Sequence, residues 1–295
     1  MKDLSFKKTV SKVGFAYFAA LLLTSTIQFL CQFIFKDIKV SVWIFSMLPL
    51  YLCGFPAAYF IMKQIPDCEQ TAEKEKMSVT KFIKFLLIGY TFMYIGNLIS
   101  LIISSLVTAL TGKVLLNPVA AAVENANIFA TFFYTVIVAP LGEEFFFRFL
   151  PYKKLSKYGD KTYILISALL FSVFHMNIFQ IIYAFLMGTV LAYMYARTRN
   201  MKYNILMHMI INFIGAIVAT FVQNNQILAS VFGMIVIVAV AAGLILLIRS
   251  RNKAIYTVAS EAYSEKPIKD TFLNIGMILF MLLFIISNIF SVILA

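Results

Sequence analysis

The chain has few ionisable residues and few of the residues that bind metals. Only 13% of its 295 residues are charged, whereas soluble domains have about 25%. It has two histidines and three cysteines, and the cysteines, Cys31, Cys53 and Cys68, show no C-x-x-C spacing. The low charge excludes an ordinary soluble domain, and the odd, scattered cysteines argue against a disulfide framework or a thiolate metal site.

Long apolar runs fill the sequence instead. Hydrophobic residues make up 62% of the chain, and its mean hydropathy is +0.90. Runs of roughly 17 to 25 apolar residues cross the hydrocarbon as helices. We therefore predict an all-α, polytopic transmembrane helix bundle of eight to nine spans in the cell membrane. The spans are expected near 13–35, 40–62, 82–110, 126–148, 163–176, 179–196, 203–222, 227–248 and 272–294.

Three segments organise these spans. We expect N-terminal transmembrane helices over 1–125, a core over 126–222 and C-terminal transmembrane helices over 223–295. The first span is expected to be retained, because its apolar stretch is too long for a typical signal peptide. The ninth is the least integrated, since the polar stretch from Arg249 to Asp270 could equally be a linker to an appended anchor.

The basic residues indicate how the bundle is oriented. A net charge of +12 could suggest nucleic acid, but the basic residues cluster between the spans, so no nucleic-acid partner is expected. With the N-terminus inside, cytoplasmic segments hold 22 of the 25 Lys and Arg, leaving Lys36, Lys39 and Lys113 outside. Cytoplasmic loops are enriched in positive charge. We therefore predict a cytoplasmic N-terminus and, with nine spans, an external Ala295.

Two short spans, 163–176 and 179–196, are expected to form a helical hairpin with its turn around Met176–Asn177. A turn within the membrane requires surrounding protein or a water-filled cavity, so a polar cavity at His175 is predicted. Glu143 and His208, however, lie within about two helical turns of a cytoplasmic end. Their expected depth in the membrane therefore differs from that of His175 by roughly 10 Å. Helix tilt or a lower start to the hairpin would reconcile the two depths.

Polar residues within apolar sequence mark a candidate site. They form E-E-F-F-F-R from Glu143 to Arg148, F-x-x-x-H from Phe171 to His175, and H-x-x-x-N from His208 to Asn212. Ionisable groups at membrane depth are costly and are kept mainly where they have a function. Taken singly, each motif also has a purely structural explanation, either an ion pair at a helix end or a hydrogen bond between helices.

Helix geometry divides the roles of the two adjacent acids. Neighbouring helical residues point about 100° apart, so Glu143 and Glu144 cannot do the same job. Glu144 and Arg148 are four apart on one face, which predicts a pair that stays ionised. Glu143 is then expected to face the cavity, beside a kink at Pro140.

These residue types suit amide hydrolysis, which needs an activated water, donors to the oxyanion and a proton for the leaving amine. Glu143 with His175 can hold and deprotonate water, while His208 and Asn212 share a helix face and can donate to the oxyanion. Phe171 is assigned to the wall of the site. This preferred set requires no cofactor. A Zn²⁺ version, with Glu143, His175 and His208 as ligands, remains open, although no H-E-x-x-H occurs.

Other functions compete with hydrolysis by activated water. Serine and cysteine nucleophiles are disfavoured, because no G-x-S-x-G occurs and Cys31 and Cys53 lie outside the histidine segments. A proton-coupled transporter could use the same buried residues, but the repeated halves that many transporters show are absent from the sequence. A non-catalytic membrane scaffold would be expected to lack one or more of the motif residues.

The three motifs, in this order on successive membrane helices, resemble those of the CPBP family. That family comprises the type II CAAX prenyl endopeptidases and the bacteriocin-processing or self-immunity proteins of bacteria, also called the Abi family of intramembrane proteases. The resemblance covers roughly residues 126–222, and the family is commonly labelled metalloprotease. It implies peptide-bond hydrolysis in a cavity open to the cytosol, with the motif roles at Glu143, Glu144, Arg148, His175, His208 and Asn212.

The substrate that the resemblance implies is a membrane-associated or lipidated protein or peptide. The tail of a lipidated protein, a membrane-bound propeptide and a bacteriocin leader suit such a cavity equally well. Besides the substrate, the lipid bilayer is the expected partner, and the sequence carries no signal of oligomeric state.

Overall fold

The computed structural model of the chain describes residues 5–34, 42–68, 74–114, 117–250, 264 and 266–294. Over these ranges every regular element is helical. Eight helices in the described ranges are long and apolar enough to cross a membrane, which confirms an all-α, polytopic bundle. The long helices are α1 (Phe6–Ile34), α2 (Val42–Lys63), α3 (Val79–Thr111), α4 (Ile128–Tyr158), α6 (Ile178–Thr198), α7 (Met201–Val222), α8 (Gln226–Ser250) and α9 (Ile275–Leu294).

One shorter helix, α5 (Asp160–Phe174), lies between α4 and α6. It packs along α6, so the structure contains the predicted hairpin, with its turn at His175–Asn177. Only one arm is short, however. Helix α6 has 21 residues and is long enough to cross a membrane, so the prediction of two short arms was wrong.

Helix α4 differs most from its prediction, because it continues to Tyr158 where the sequence placed its end at residue 148. A kink was expected at Pro140, since proline has no N–H to donate, and α4 also contains Pro151. Just before each of these prolines α4 shifts into π-helical turns, over Phe132–Val138 and Phe145–Phe149. Because α4 is longer than predicted, Glu143 and His175 each lie 16 residues from Gly159, which stands between α4 and α5. The two residues are therefore expected at similar depths in the bundle.

Side chains from other helices supply the hydrogen bonds that the two prolines cannot make. In the π-helical pattern the amide of Ala139 donates to the carbonyl of Tyr134, so residue 140 would donate to Thr135. Asn212 Nδ2 donates to the Thr135 carbonyl at 2.8 Å instead. Near Pro151, the Phe147 carbonyl accepts from Ser167 Oγ at 2.5 Å, and the Phe146 carbonyl accepts from the Tyr17 hydroxyl. Helices α1, α5 and α7 are thereby bonded to the backbone of α4.

Glycines allow the closest helix contacts in the bundle. A Cβ on Gly96 of α3 would lie 2.5 Å from the Cα of Tyr183 on α6, so these two backbones nearly touch. The same holds where α9 crosses α1, because a Cβ on Gly276 would lie 1.8 Å from the Ser11 carbonyl oxygen. The Gly276 amide also donates to Ser11 Oγ at 3.2 Å. Helix α9 is therefore packed into the bundle, which argues against a separate appended anchor.

Basic residues gather at one end of the bundle, which we call the basic end. There Asp67 pairs with Lys153 and Lys154, and Glu75 pairs with Lys81 and Arg197. Burial alone would raise the pKa of Asp67, but its bonds to Lys154 and Lys153 outweigh burial and lower it. The start of α1 lies at the same end, since the Phe6 and Tyr158 rings are 4.9 Å apart.

The opposite end of α3 carries Lys113, which donates to the Ile293 carbonyl near the end of α9. Several basic residues used in the charge count, and much of the linker that precedes α9, are not among the described residues. Lys2, Lys36, Lys39, Arg251, Lys253 and most of the polar stretch from 249 to 270 lie outside the described residues.

The close contact of α9 with α1 predicts that one added methyl group at this contact lowers the stability of the protein. Gly276→Ala is expected to lower the free energy of unfolding by about 1–3 kcal/mol, because the added Cβ over-packs the contact. Gly233→Ala on α8, where an added Cβ meets nothing within 4 Å, is the control and should change stability by less than about 1 kcal/mol. Thermal unfolding in detergent compares them. Equal melting temperatures would contradict the close packing of α9.

Candidate active site

A completely buried carboxylate lies at the centre of the polar cluster. Glu144 has no exposed surface, and its Oε2 lies 3.3 Å from Nε of Arg148, which is equally buried. Their spacing of four residues predicted this neighbourhood. The remaining lone pairs of Glu144 bind α7, as Oε1 accepts from His208 Nδ1 at 2.8 Å and Oε2 from Asn204 Nδ2 at 3.0 Å. Glu144 thus connects α4 to α7 through two partners, His208 and Asn204.

Asn204 was missed by the sequence analysis. Its Nδ2 donates both to Glu144 and to the Leu191 carbonyl at 2.8 Å, so it also joins α7 to α6. The signal was present in the sequence, because Asn204 precedes His208 by four residues and therefore shares its helix face. A polar residue at that spacing in an apolar helix could have been added to the H-x-x-x-N motif.

The second acid, Glu143, is in a different environment. Its side chain is 19% exposed, whereas that of Glu144 is fully buried. Glu143 Oε2 lies 3.7 Å from His208 Nε2, so the His208 ring stands between the two carboxylates. The two neighbouring acids therefore have separate surroundings, as their angular separation on a helix requires. Glu143 is the carboxylate that a small molecule such as water could reach.

His175 is held by the backbone at the tip of α5. Its amide donates to the Ser172 carbonyl at 3.3 Å, and its Nδ1 lies 2.6 Å from the carbonyl oxygen of Phe171. A carbonyl only accepts, so Nδ1 carries the proton and Nε2 of the neutral ring is an acceptor. Glu143 lies near enough to act electrostatically on the His175 ring when that ring is protonated. His175 thus presents a basic nitrogen in the neighbourhood of Glu143.

Phe171 contacts most of the cluster. Its ring lies edge-on to His175 at 4.7 Å and to His208 at 5.8 Å, measured between centroids. The Arg148 guanidinium lies over the same ring, 4.2 Å from its centroid. Such cation–π contacts are favourable where water is excluded. Phe171 thus contacts the arginine and both histidines of the cluster.

Asn212 is hydrogen-bonded to the backbone of α4. Its Nδ2 donates to the Thr135 carbonyl, the oxygen that Pro140 leaves without a helical donor. The same amide group is the one predicted to donate to an oxyanion. One of its two N–H groups is committed to α4, and the second is the one that a substrate would have to use.

The zinc arrangement does not fit the donors. Over the described ranges, no three His, Cys, Asp or Glu side chains are grouped so that they could hold a metal ion. Nδ1 of each histidine is engaged, by the Phe171 carbonyl and by Glu144, as is also usual for histidines that bind a metal through Nε2. What argues against zinc is the spacing of the side chains, which form no grouped ligand set in the described residues, and we derive no step through a metal.

The buried pair predicts a stability effect that a surface pair does not show. Arg148→Met is expected to lower the free energy of unfolding by about 3–5 kcal/mol, because Glu144 then keeps its charge without its main counter-charge. Lys153→Met removes one of the two lysine partners of Asp67 at the surface and should cost only about 0–1 kcal/mol. Chemical or thermal unfolding in detergent measures both changes. Similar losses of stability in the two variants would show that the buried Glu144–Arg148 pair stabilises the fold no more than the surface pair does.

Comparison with known families identifies the segment that carries this cluster. The family model for the type II CAAX prenyl endopeptidase, Rce1-like, matches residues 125–214. Comparisons with curated proteins and with solved structures gave no match. The matched segment includes all three motifs and Asn204, and it leaves α1, α2, α3, α8 and α9 outside. The resemblance seen in the motifs is thereby confirmed by a match of the Rce1-like, type II CAAX prenyl endopeptidase family model to residues 125–214.

Proposed function

We propose that the protein is an intramembrane endopeptidase that hydrolyses a peptide bond in a membrane-associated or lipidated protein or peptide. The observation that carries the proposal is the surroundings of the two adjacent acids. Glu144 is saturated by Arg148, His208 and Asn204, whereas Glu143 is partly exposed beside His208. Two acids with only a structural role would not need one carboxylate to be fully buried and the other to stay partly exposed. The Rce1-like domain match supports the same reaction class.

Glu143 and His175 are the groups that activate water in this proposal. Glu143 accepts a hydrogen bond from the water and holds it, and Nε2 of His175 takes its proton, since Nδ1 is occupied by the Phe171 carbonyl. The water oxygen then forms a bond to the carbonyl carbon of the substrate. The proton on His175 is returned to the leaving nitrogen as the C–N bond breaks, which completes the hydrolysis.

His208 is the proposed donor to the oxyanion. Glu144 accepts from its Nδ1 and fixes the orientation of the ring, so that Nε2 is directed towards the Glu143 side of the cluster. When Nε2 carries a proton it donates to the developing negative charge. Asn212 would contribute its second N–H, while the first remains on Thr135.

We also propose that the basic end and the N-terminus face the cytoplasm. The support is the clustering of Lys and Arg at the basic end together with the start of α1, which matches the enrichment of positive charge in cytoplasmic loops. The substrate is proposed to reach the cavity from that side. The tail of a lipidated protein, a propeptide and a bacteriocin leader share the property that matters, a peptide bond held close to the membrane.

The central prediction concerns Glu143. Glu143→Gln should reduce cleavage by roughly 100- to 10,000-fold, because the uncharged amide holds and polarises the water less strongly than a carboxylate, so that His175 removes its proton less easily. Glu75→Gln, the same change at the basic end, is the control and should leave cleavage unchanged. Mass spectrometry of membrane and secreted peptides from cells carrying the wild type or each variant identifies substrates and measures cleavage. If the wild-type and Glu143→Gln peptide profiles are the same, the proposed hydrolysis is wrong, and a transporter or scaffold is favoured.

A second prediction addresses metal. Purified protein is expected to cleave without bound metal, because Glu143 and His175 supply the base and His208 the oxyanion donor. Metal content by elemental analysis and cleavage after chelation test this. A metal-dependent enzyme would carry close to one metal per chain and lose activity on chelation, and added metal would restore that activity. That result would replace the water-activating roles assigned above.

A further inference from the structure

The last helix, α9, contacts the hairpin turn next to His175 through one polar side chain. Asn288 Oδ1 accepts from the Ile178 amide at 3.0 Å, and Nδ2 lies 3.5 Å from the Met176 carbonyl oxygen. Nδ2 also donates to the Phe284 carbonyl within α9 at 2.9 Å. The chemistry of the partners fixes the orientation of the amide, since a backbone N–H requires the oxygen and the two carbonyls require the nitrogen.

The turn needs this partner because its backbone is irregular. Met176 has a φ of 53°, in the left-handed region that residues other than glycine rarely adopt. The amides of His175 and Met176 donate to Ser172 and Val173, and the Asn177 side chain accepts from the Phe179 amide. The Ile178 amide and the Met176 carbonyl are the groups that Asn288 binds. Backbone groups within the membrane region need such partners, because lipid offers none.

Helix α9 is itself fixed to the bundle near its start. Gly276 lies against Ser11 of α1, and the Phe280 ring is 6.1 Å from the ring of Tyr17. Tyr17 in turn donates to the Phe146 carbonyl of α4, two residues after Glu144. A continuous series of contacts therefore joins the helix that bears Glu143 and Glu144, through α1 and α9, to the turn that bears His175.

We propose that Asn288 is a positioning residue that fixes the His175 turn relative to Glu143, so that α9 is a functional part of the protease although it lies outside the matched domain. The proposal rests on the proposed function in one respect, the role of His175 as base. Asn288 itself touches no reacting atom. Its loss should change the rate of the chemical step more than substrate binding, because a displacement of about 1 Å can cost roughly 100-fold in rate.

Asn288→Leu tests this, since leucine has a similar size and makes none of the three hydrogen bonds. It should lower kcat by roughly 100-fold with KM changed less than about twofold. Asn288→Asp keeps an acceptor for the Ile178 amide and should recover part of kcat. Ser291→Leu is the matched control, because Ser291 is an exposed polar residue on the same helix. An unchanged kcat in Asn288→Leu, or an equal loss in Ser291→Leu, overturns the proposal.

Hydrogen–deuterium exchange of the full chain in detergent separates this proposal from the proposed function. Peptides covering residues 174–182 should exchange faster in Asn288→Leu than in the wild type or Ser291→Leu, and the α1 peptides should not change. If the turn exchanges faster in Asn288→Leu but the wild type cleaves no peptide, the contact of Asn288 with the turn is supported and the proposed protease function is wrong. Unchanged exchange, or faster exchange with full kcat, refutes the positioning role while leaving the protease intact.

Discussion

Every peptide group inside the hydrocarbon must find a hydrogen-bond partner within the protein, and helix α4 cannot meet this requirement alone. Its two prolines have no N–H, and an unpaired buried backbone group costs about 1–3 kcal/mol. Asn212, Ser167 and Tyr17 bind the carbonyls affected, those of Thr135, Phe147 and Phe146. Three other helices are therefore bonded to the helix that carries the acids.

The same requirement applied to charge explains why the adjacent acids differ. A carboxylate without exposed surface is tolerated only when its partners compensate for the lost water. Glu144 has Arg148, His208 and Asn204 around it, and these partners join α4, α6 and α7. Because these three groups surround Glu144, Glu143 keeps its partial exposure and its freedom to bind something else.

The sequence predicted what depends on local spacing. The apolar runs located the membrane helices, and the separation of four residues placed Glu144 beside Arg148, because both depend only on helix geometry. The continuation of α4 through Pro151 could not be predicted, since it depends on Ser167 and Tyr17, which are distant in sequence. The commitment of Asn212 to Thr135 has the same origin. Asn204 is the exception, because its spacing from His208 was visible and was overlooked.

The contact between Gly96 and Tyr183 also limits how a polypeptide could approach the acids. Helices α3 and α6 meet there with almost no space between their backbones. An extended chain needs about 5 Å of clearance, the spacing of neighbouring strands, and more when its side chains are included. The α3–α6 seam is therefore closed to an incoming chain. A polypeptide that reaches Glu143 therefore does not pass between α3 and α6 at Gly96.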